Sequence, residues 1–401
     1  MSYLWQKTLV YQIWAGAWPS LKEIQNHLER IAALGANYVW LSGILASSQH
    51  DHGYDVTDYR AIDRRYGTMA DFDEFVEAAH QHGIEVLLDL ILNHTSTDHP
   101  WFRKHPDYYC WSQVDRPDWH NLFDGGPAWK YDADYEQYYL HLFHEKQADL
   151  SWFPKESGEL NQALVHEFRE IVDFWTKDHN VAGFRLDVPQ GINKDFDRDI
   201  LEFNDLIFRM KAPQVLNAIF PNPSCHPFLM MECFDPKFGE VANYYATKTP
   251  VNFVMNMLLK STIRTSAKEF KEKLKISVEN PKFMVDIESH DSPRFSHRGW
   301  NSIWGTHQMF QVNPQAACLY QGQELGLANP TPDQLTYADM VSLDAETAMK
   351  VCSGASLESL RPTSRANARV SLPLDEYEKQ EKDPKSCLNL VKLEIKNWFL
   401  H

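Results

Sequence analysis

The chain has 401 residues, room for two average domains or one large barrel with insertions, and either would bury an ample core. Hydrophobic residues make up 43% and acidic residues outnumber basic ones by 55 to 39, so the formal charge is −16. Such a balance describes a soluble globular protein whose surface repels nucleic acid and anionic membranes and suits neutral or cationic ligands. The N-terminus lacks an apolar h-region with a small-residue cleavage site, and no run of about 18 apolar residues follows. The six cysteines, Cys110, Cys225, Cys233, Cys318, Cys352 and Cys387, are dispersed without CxxC spacing. The expectations are a cytoplasmic chain, reduced thiols and no zinc site.

In chain order, residues 8–14 form a short apolar run, and 21–35 show helical periodicity closed by Gly35. A second run, 38–42, leads into a polar loop holding Asp51, Gly53, Tyr54 and Asp55, and then a helix over 69–83. Residues 86–92, VLLDLIL, read as a strand buried on both faces of a parallel sheet. From 95 to 155 the alternation stops in a segment dense in Trp, Tyr, His, Asp and Pro, which reads as an inserted subdomain. It resumes with a helix at 161–179, a strand at 183–188, a helical region near 196–212 and a strand at 228–233. Further units are 251–256, a helix at 266–278, 283–289, a helix near 303–312 and 316–322; a closing helix spans 383–400, opened by Asp383 and Pro384. Eight strand and helix units predict an α/β fold, a closed (β/α)8 TIM barrel whose site lies at the C-terminal ends of the strands. The predicted division is 1–94 for the first part of the barrel, 95–155 for the subdomain inserted after the third strand, and 156–401 for the rest.

Polar residues cluster at those strand ends. Arg185 and Asp187 share one face of a strand, since side chains two apart point together. The Arg is expected to hold the Asp ionised, as suits a carboxylate that attacks or that stabilises positive charge. Glu232, in Met230-Met231-Glu232-Cys233-Phe234, has an apolar setting that raises a carboxyl pKa and keeps a proton available. With no basic residue nearer in sequence than Lys237, a salt bridge is the weaker reading of it. Asp291 lies beside His290 before a Ser-Pro step, and His94 follows the third strand. Taken singly these are a buried ion pair, a turn-forming Asp and a core histidine. Taken together they supply a nucleophile, an acid and a third carboxylate, the set that cleaves an acetal.

Four segments, DLILNH (89–94), GFRLDV (183–188), MMEC (230–233) and ESHD (288–291), resemble the four ordered signature regions of the alpha-amylase superfamily of glycoside hydrolases. DHGYDVTDY (51–59), HTSTDHPWF (94–102), GPAWKYD (126–132), QYYLHLFHEKQADLSW (137–152) and LYQGQELGL (319–327) are similar to its oligo-1,6-glucosidase and dextran glucosidase branch. The match covers nearly the whole chain. It implies Asp187 as nucleophile, Glu232 as acid and base, and Asp291 as stabiliser of the distorted sugar. Arg185, His94 and His290 would line the subsite of the non-reducing sugar, with Tyr54 as stacking platform. Asp51 would grip the terminal glucose with an Arg, for which Arg369 is the candidate. Val188 resembles the branch that prefers α-1,6 bonds. The implied activity is that of a retaining exo-acting α-glucosidase on short oligosaccharides, with its carboxyl pair roughly 5 to 5.5 Å apart. Partners other than sugar are not expected, beyond a monomer or homo-oligomer.

Four departures stand out. The loop Ala15-Gly16-Ala17-Trp18-Pro19-Ser20 has no Asp or Asn, so no calcium site is expected there and no metal or cofactor overall. Ser289 replaces the family's usual Asn. The stretch after Arg369 has lost most of the following motif. The C-terminal β-sandwich usual in the family is not expected, because the recognisable sequence stops at the eighth barrel helix. The competing readings are a transglucosylase or isomerase acting on sucrose, trehalose or maltose, a phosphosugar hydrolase, which would need a basic cluster near the mouth that the acidic balance does not favour, and a noncatalytic sugar-binding or scaffold barrel.

Overall fold

The computed structural model describes residues 7–155, 157–192, 194, 206–222, 227–234, 238–260, 266–298 and 302–400. Eight parallel strands close into a barrel: β1 (Thr8–Trp14), β2 (Tyr38–Ser42), β3 (Glu85–Ile91), β4 (Gly183–Asp187), β5 (Phe228–Cys233), β6 (Phe253–Asn256), β7 (Phe283–Asp286) and β8 (Ala316–Tyr320). Each pairs with its neighbours in sequence order, and β8 closes on β1 with Thr8 opposite Ala316. The strands are short, apolar and buried on both faces, which is why they read as continuous hydrophobic runs.

Period-2 alternation decides which side chains enter the barrel. Val10, Trp40, Leu87, Met230, Met255, Met284 and Cys318 pack into one interior cluster that plugs its floor. Beside Leu87, β4 contributes Gly183, where an added Cβ would lie 1.9 Å from the carbonyl oxygen of Phe228. That glycine lets β4 and β5 approach closely. Two residues further along each strand, the same inward phase carries Asp89, Arg185 and Glu232, and Asp187 follows Arg185. The site is therefore a continuation of the core alternation in polar residues.

Excursions after β2, β3 and β8 build the mouth. After β2, Leu45–Ser47 and Val56–Ile62 form an antiparallel pair. The loop between them is compressed where Gly53, at φ +102°, meets Gly43; an added Cβ on Gly53 would lie 2.5 Å from Gly43 Cα. The region after β3 holds the helix Pro100–Lys104, a three-stranded antiparallel sheet and the antiparallel pair His94–Ser96 with Gln147–Asp149. After β8, short helices at Tyr337–Leu343 and Ala345–Cys352 and the 3₁₀ turn Arg365–Ala368 return the chain to the site.

Local differences from the sequence expectations have local causes. The helix expected over 21–35 is two pieces, Leu21–Gln25 and Leu28–Ala33, broken at Asn26 and His27, where His27 packs on Trp18 at 5.0 Å between ring centroids. The helical region expected near 196–212 is described only from Leu206, where it runs to Ile219; 195–205 lie outside the described residues. The last helix begins at Cys387, not at Asp383. Asp383 instead closes a turn onto the Lys385 amide at 2.9 Å, and Ser386 Oγ caps the helix by accepting from the Asn389 amide at 3.2 Å. No described helix is long and apolar enough to cross a membrane.

Candidate active site

Arg185 is the hub. Its guanidinium, 1% exposed, contacts Asp89 Oδ1 at 3.1 Å and Asp187 Oδ1 through Nη1, and Glu232 Oε2 through Nη2, with Asp291 Oδ2 4.0 Å away. It also lies over the rings of Trp40 (5.1 Å) and Tyr54 (5.7 Å). One cation thus faces four carboxylates in a desolvated site. Asp89, which sequence reasoning passed over, further accepts from Trp40 Nε1 at 3.2 Å, the Gly43 amide at 3.3 Å and the Tyr54 hydroxyl at 3.3 Å. Its phase with Leu87 on β3 was the signal available in the sequence.

This crowding corrects two electrostatic expectations. Burial, with Asp89 and Asp291 adding to it, pushes the Asp187 carboxyl up to about 7 even though Arg185 pulls the other way. A guanidinium shared among several acids cannot hold each of them low. Glu232 is raised to about 8, first by burial, as its apolar setting predicted, but it is also ion-paired, because Arg185 comes from the neighbouring strand. Burial likewise lifts Asp89 to about 6. Asp291 goes the other way: His290, Arg365, Arg369 and Arg185 together overcome its burial and hold it well below the usual carboxylate range.

The remaining predicted residues surround this hub. Tyr54 stacks on His290 with centroids 5.2 Å apart and planes 9° from parallel. His290 Nδ1 meets Gln12 Nε2 at 2.7 Å, and its Nε2 lies 3.1 Å from Asp291 Oδ1. His94 Nε2 lies 3.0 Å from the Tyr54 carbonyl and 3.1 Å from Gln147 Nε2; burial keeps its imidazole neutral by lowering its pKa. Asp51 accepts from Gln147 Nε2 at 3.1 Å.

The arginine against Asp51 is Arg365, not Arg369. Arg365 Nη2 lies 3.3 Å from Asp51 Oδ1, Nη1 lies 3.6 Å from Asp291 Oδ1, and Nε lies 2.9 Å from Asp344 Oδ1. Arg369, four residues on, sits on the far side of the 3₁₀ turn. There it donates to the His290 carbonyl at 3.0 Å and the Leu343 carbonyl at 3.0 Å, and reaches Asp291 at 3.5 Å. It props the strand end from behind. The sequence offered both arginines in one RANAR stretch, and only the turn separates their roles.

The backbone after Asp187 is strained. Val188 has φ +40°, a region that β-branched residues rarely enter, at a cost of about 1–3 kcal/mol. Its amide donates to Glu232 Oε1 at 2.7 Å.

These groups enclose a cavity of about 210 Å³ lined by Tyr54, His94, Arg185, Asp187, Glu232, Asp291, Asp51 and Arg365, among others, with Val188 and the half-exposed Phe234 on its rim. That is smaller than the ~300–1,000 Å³ of sites for drug-sized ligands, and it matches one sugar ring better than a chain. A larger groove of about 1020 Å³ runs along the inserted region past Trp111 and Tyr135, but none of the convergent carboxylates lines it. Among the described residues no group of His, Cys, Asp and Glu is arranged to hold a metal ion.

A parallel barrel with an acid-rich pocket at its strand C-terminal ends is the architecture of a barrel enzyme. Residues 15–386 match the catalytic domain of alpha-amylase, and the chain belongs to that family. It is 39% identical over 214 residues to the trehalose-6-phosphate hydrolase of Escherichia coli K12, covering 49% of this chain and 37% of that relative's length. It is 28% identical over 424 residues to the glucan 1,6-alpha-glucosidase of Streptococcus pneumoniae, covering 93% of this chain and 76% of the relative. The crystal structure of Bacillus licheniformis trehalose-6-phosphate hydrolase superposes with a TM-score of 0.81 at 25% identity, over 99% of this chain and 84% of the other.

The buried groups also predict how stability varies with pH. Asp89, Asp187, Glu232 and Glu324, raised to about 6, 7, 8 and 7, contribute stability that is lost as pH rises through those values. The buried histidines His94, His99 and His290 and the half-buried His52, held below 6.5, oppose this only below about 6.5, where the unfolded chain takes up protons. Melting followed by scanning calorimetry should therefore move to lower temperature between pH 6.5 and 8. A melting temperature that stays flat or rises over that interval would contradict the assigned burial of these acids.

Proposed function

We propose that the chain is a retaining, exo-acting α-glucosidase. It would cleave α-glucosidic bonds, with α-1,6 preferred, at the non-reducing end of short oligosaccharides in the cytoplasm, as a monomer or homo-oligomer. The observation that carries this is the placement of Asp187 and Glu232 on the two arms of one guanidinium, at a ring-sized cavity that the Asp51–Arg365 pair also lines. Bridging by one small cation supports the short carboxyl separation that double displacement needs.

In this reading the terminal glucose stacks on Tyr54, and its hydroxyls meet His94, His290, Asp51 and Arg365. Ionised Asp187 attacks C1 while Glu232 protonates the departing glycosidic oxygen. Asp291, held anionic by its arginines, faces the positive charge that develops on the ring. Glu232, now a carboxylate, then takes a proton from water, which attacks C1 and releases Asp187 with α-glucose formed by two inversions. The reactive form has Glu232 protonated and Asp187 ionised, one proton held by the pair, and burial, which raises both carboxyls, is what keeps a proton on the pair near neutral pH.

The names of the relatives favour a second substrate, a phosphorylated disaccharide. Against it, among the described residues the arginines lining the cavity, Arg185 and Arg365, are both committed to carboxylates. The deciding measurement is proton NMR of the chain with isomaltose, maltose, sucrose, trehalose and trehalose 6-phosphate, read from the earliest minutes. First appearance of α-glucose from isomaltose is the expected result. New glycosidic signals without free glucose would make the chain a transferase or isomerase, faster cleavage of the phosphorylated disaccharide would move the substrate class, and no turnover would leave a noncatalytic barrel.

A further inference from the structure

We propose that the backbone amide of residue 188, held in place by a left-handed kink, is the positioning group that sets the carboxyl plane of Glu232 for proton transfer; this rests on the α-glucosidase reading above. The ladder between β4 and β5 ends with Leu186 opposite Met231. Past Asp187 the chain leaves the ladder. Val188 turns to φ +40°, although it is β-branched and precedes Pro189, and both features disfavour that turn. The kink is locked from the far side. The Val188 carbonyl accepts from the Gly191 amide at 2.9 Å, closing the 3₁₀ turn Pro189–Ile192. That turn is packed so tightly that a Cβ on Gly191 would lie 2.7 Å from Asn93 Oδ1 and 3.0 Å from Val188 Cγ1.

Immediately before the kink the Val188 amide donates to Glu232 Oε1 at 2.7 Å, while Arg185 holds Oε2, and the locked turn that follows anchors that amide. The two donors differ in kind. Arg185 is shared with Asp89 and Asp187, so its pull on Glu232 changes when Asp187 gives up its charge to form the glucosyl ester. The amide is neutral and its one bond is to Glu232, so it is unchanged through both half-reactions. It therefore keeps the carboxyl in one plane while Glu232 alternates between acid and base. Strain stored at a bulky residue beside the reacting carboxylates is the structural cost of that fixed donor.

The test replaces the amide by an ester, with the α-hydroxy acid analogue of valine installed at position 188, so that the side chain stays and only the N–H is lost. Three readouts are expected. For isomaltose, whose leaving group needs a full proton, kcat/KM should fall about 10- to 100-fold, part of the range that general acid catalysis supplies. For α-glucosyl fluoride, whose leaving group needs little protonation, it should change by no more than about twofold. The alkaline limb of the pH profile should move upward, because a donor to the ionised form of Glu232 has gone. Val188→Ala, which keeps the amide, should leave that limb in place. Should the ester chain fail to fold, Gly191→Ala, whose added Cβ would lie 2.7 Å from Asn93 Oδ1 and 3.0 Å from Val188 Cγ1, keeps the N–H but displaces the turn that locks the kink, and is expected to show the same dependence on leaving group at about 3- to 10-fold. Equal losses on both substrates, or an unmoved limb, would make the kink purely structural and overturn the proposal. Failure of the unmodified chain to turn over either substrate would overturn the α-glucosidase reading itself, and is told apart because no variant is needed to see it.

Discussion

Asp187→Ala is expected to lower kcat/KM on α-glucosides by at least about 10⁴-fold, the scale on which losing an activated nucleophile acts. Azide should then reveal which face was vacated. With the carboxylate gone, azide attacks C1 opposite the leaving group, the C1–O bond breaks, Glu232 supplies the proton, and the product is a β-glucosyl azide by single inversion. Glu232→Ala should behave differently. Its loss on isomaltose is expected at about 10²- to 10⁴-fold, but an aryl glucoside with an acidic phenol can still expel its leaving group and load Asp187. Azide attacking that ester needs no base and gives an α-glucosyl azide by double inversion. The two anomers, read by NMR, assign the two carboxylates separately. Exchanged anomers would exchange the roles, and full activity in either variant would remove that residue from the chemistry.

Arg185→Leu should give the largest effect on stability, a loss of about 3–5 kcal/mol near pH 7.5, because it leaves buried carboxylates without their cation. The deficit should shrink toward pH 5. Arg185 lowers the pKa of Asp89, Asp187 and Glu232, so without it their folded values rise further, and the stability lost with rising pH grows. Urea unfolding of both proteins at the two pH values measures this directly. A deficit that is the same at both would assign Arg185 a packing role over Trp40 and Tyr54 rather than an electrostatic one.

The sequence by itself determined the barrel and the identity of its strand-end residues. Apolar runs such as VLLDLIL are long enough and uninterrupted enough to be doubly buried strands, and period-2 phase alone puts Arg185 with Asp187, and Glu232 with Met230. The same rule reaches Asp89 through Leu87, although it was passed over. Where local chemistry competes closely, the sequence read less well: Asp383 and Ser386 are both good helix caps, and which of them serves is settled by a turn of three residues.

Only the tertiary structure decided the electrostatics and the choice of partners. That Asp187 is raised rather than lowered depends on how many acids share one guanidinium, a count that closure of the barrel sets by bringing β3, β4 and β5 together. Likewise Asp51 meets Arg365 and not Arg369, because the 3₁₀ turn rotates one arginine into the cavity and the other behind it. The kink at Val188 lies wholly beyond composition and periodicity. A valine before a proline predicts extended backbone, and only the packing around Gly191 and the carboxylate of Glu232 hold it otherwise. Pattern fixes which face a side chain takes; distance between segments far apart in sequence fixes which charge it meets.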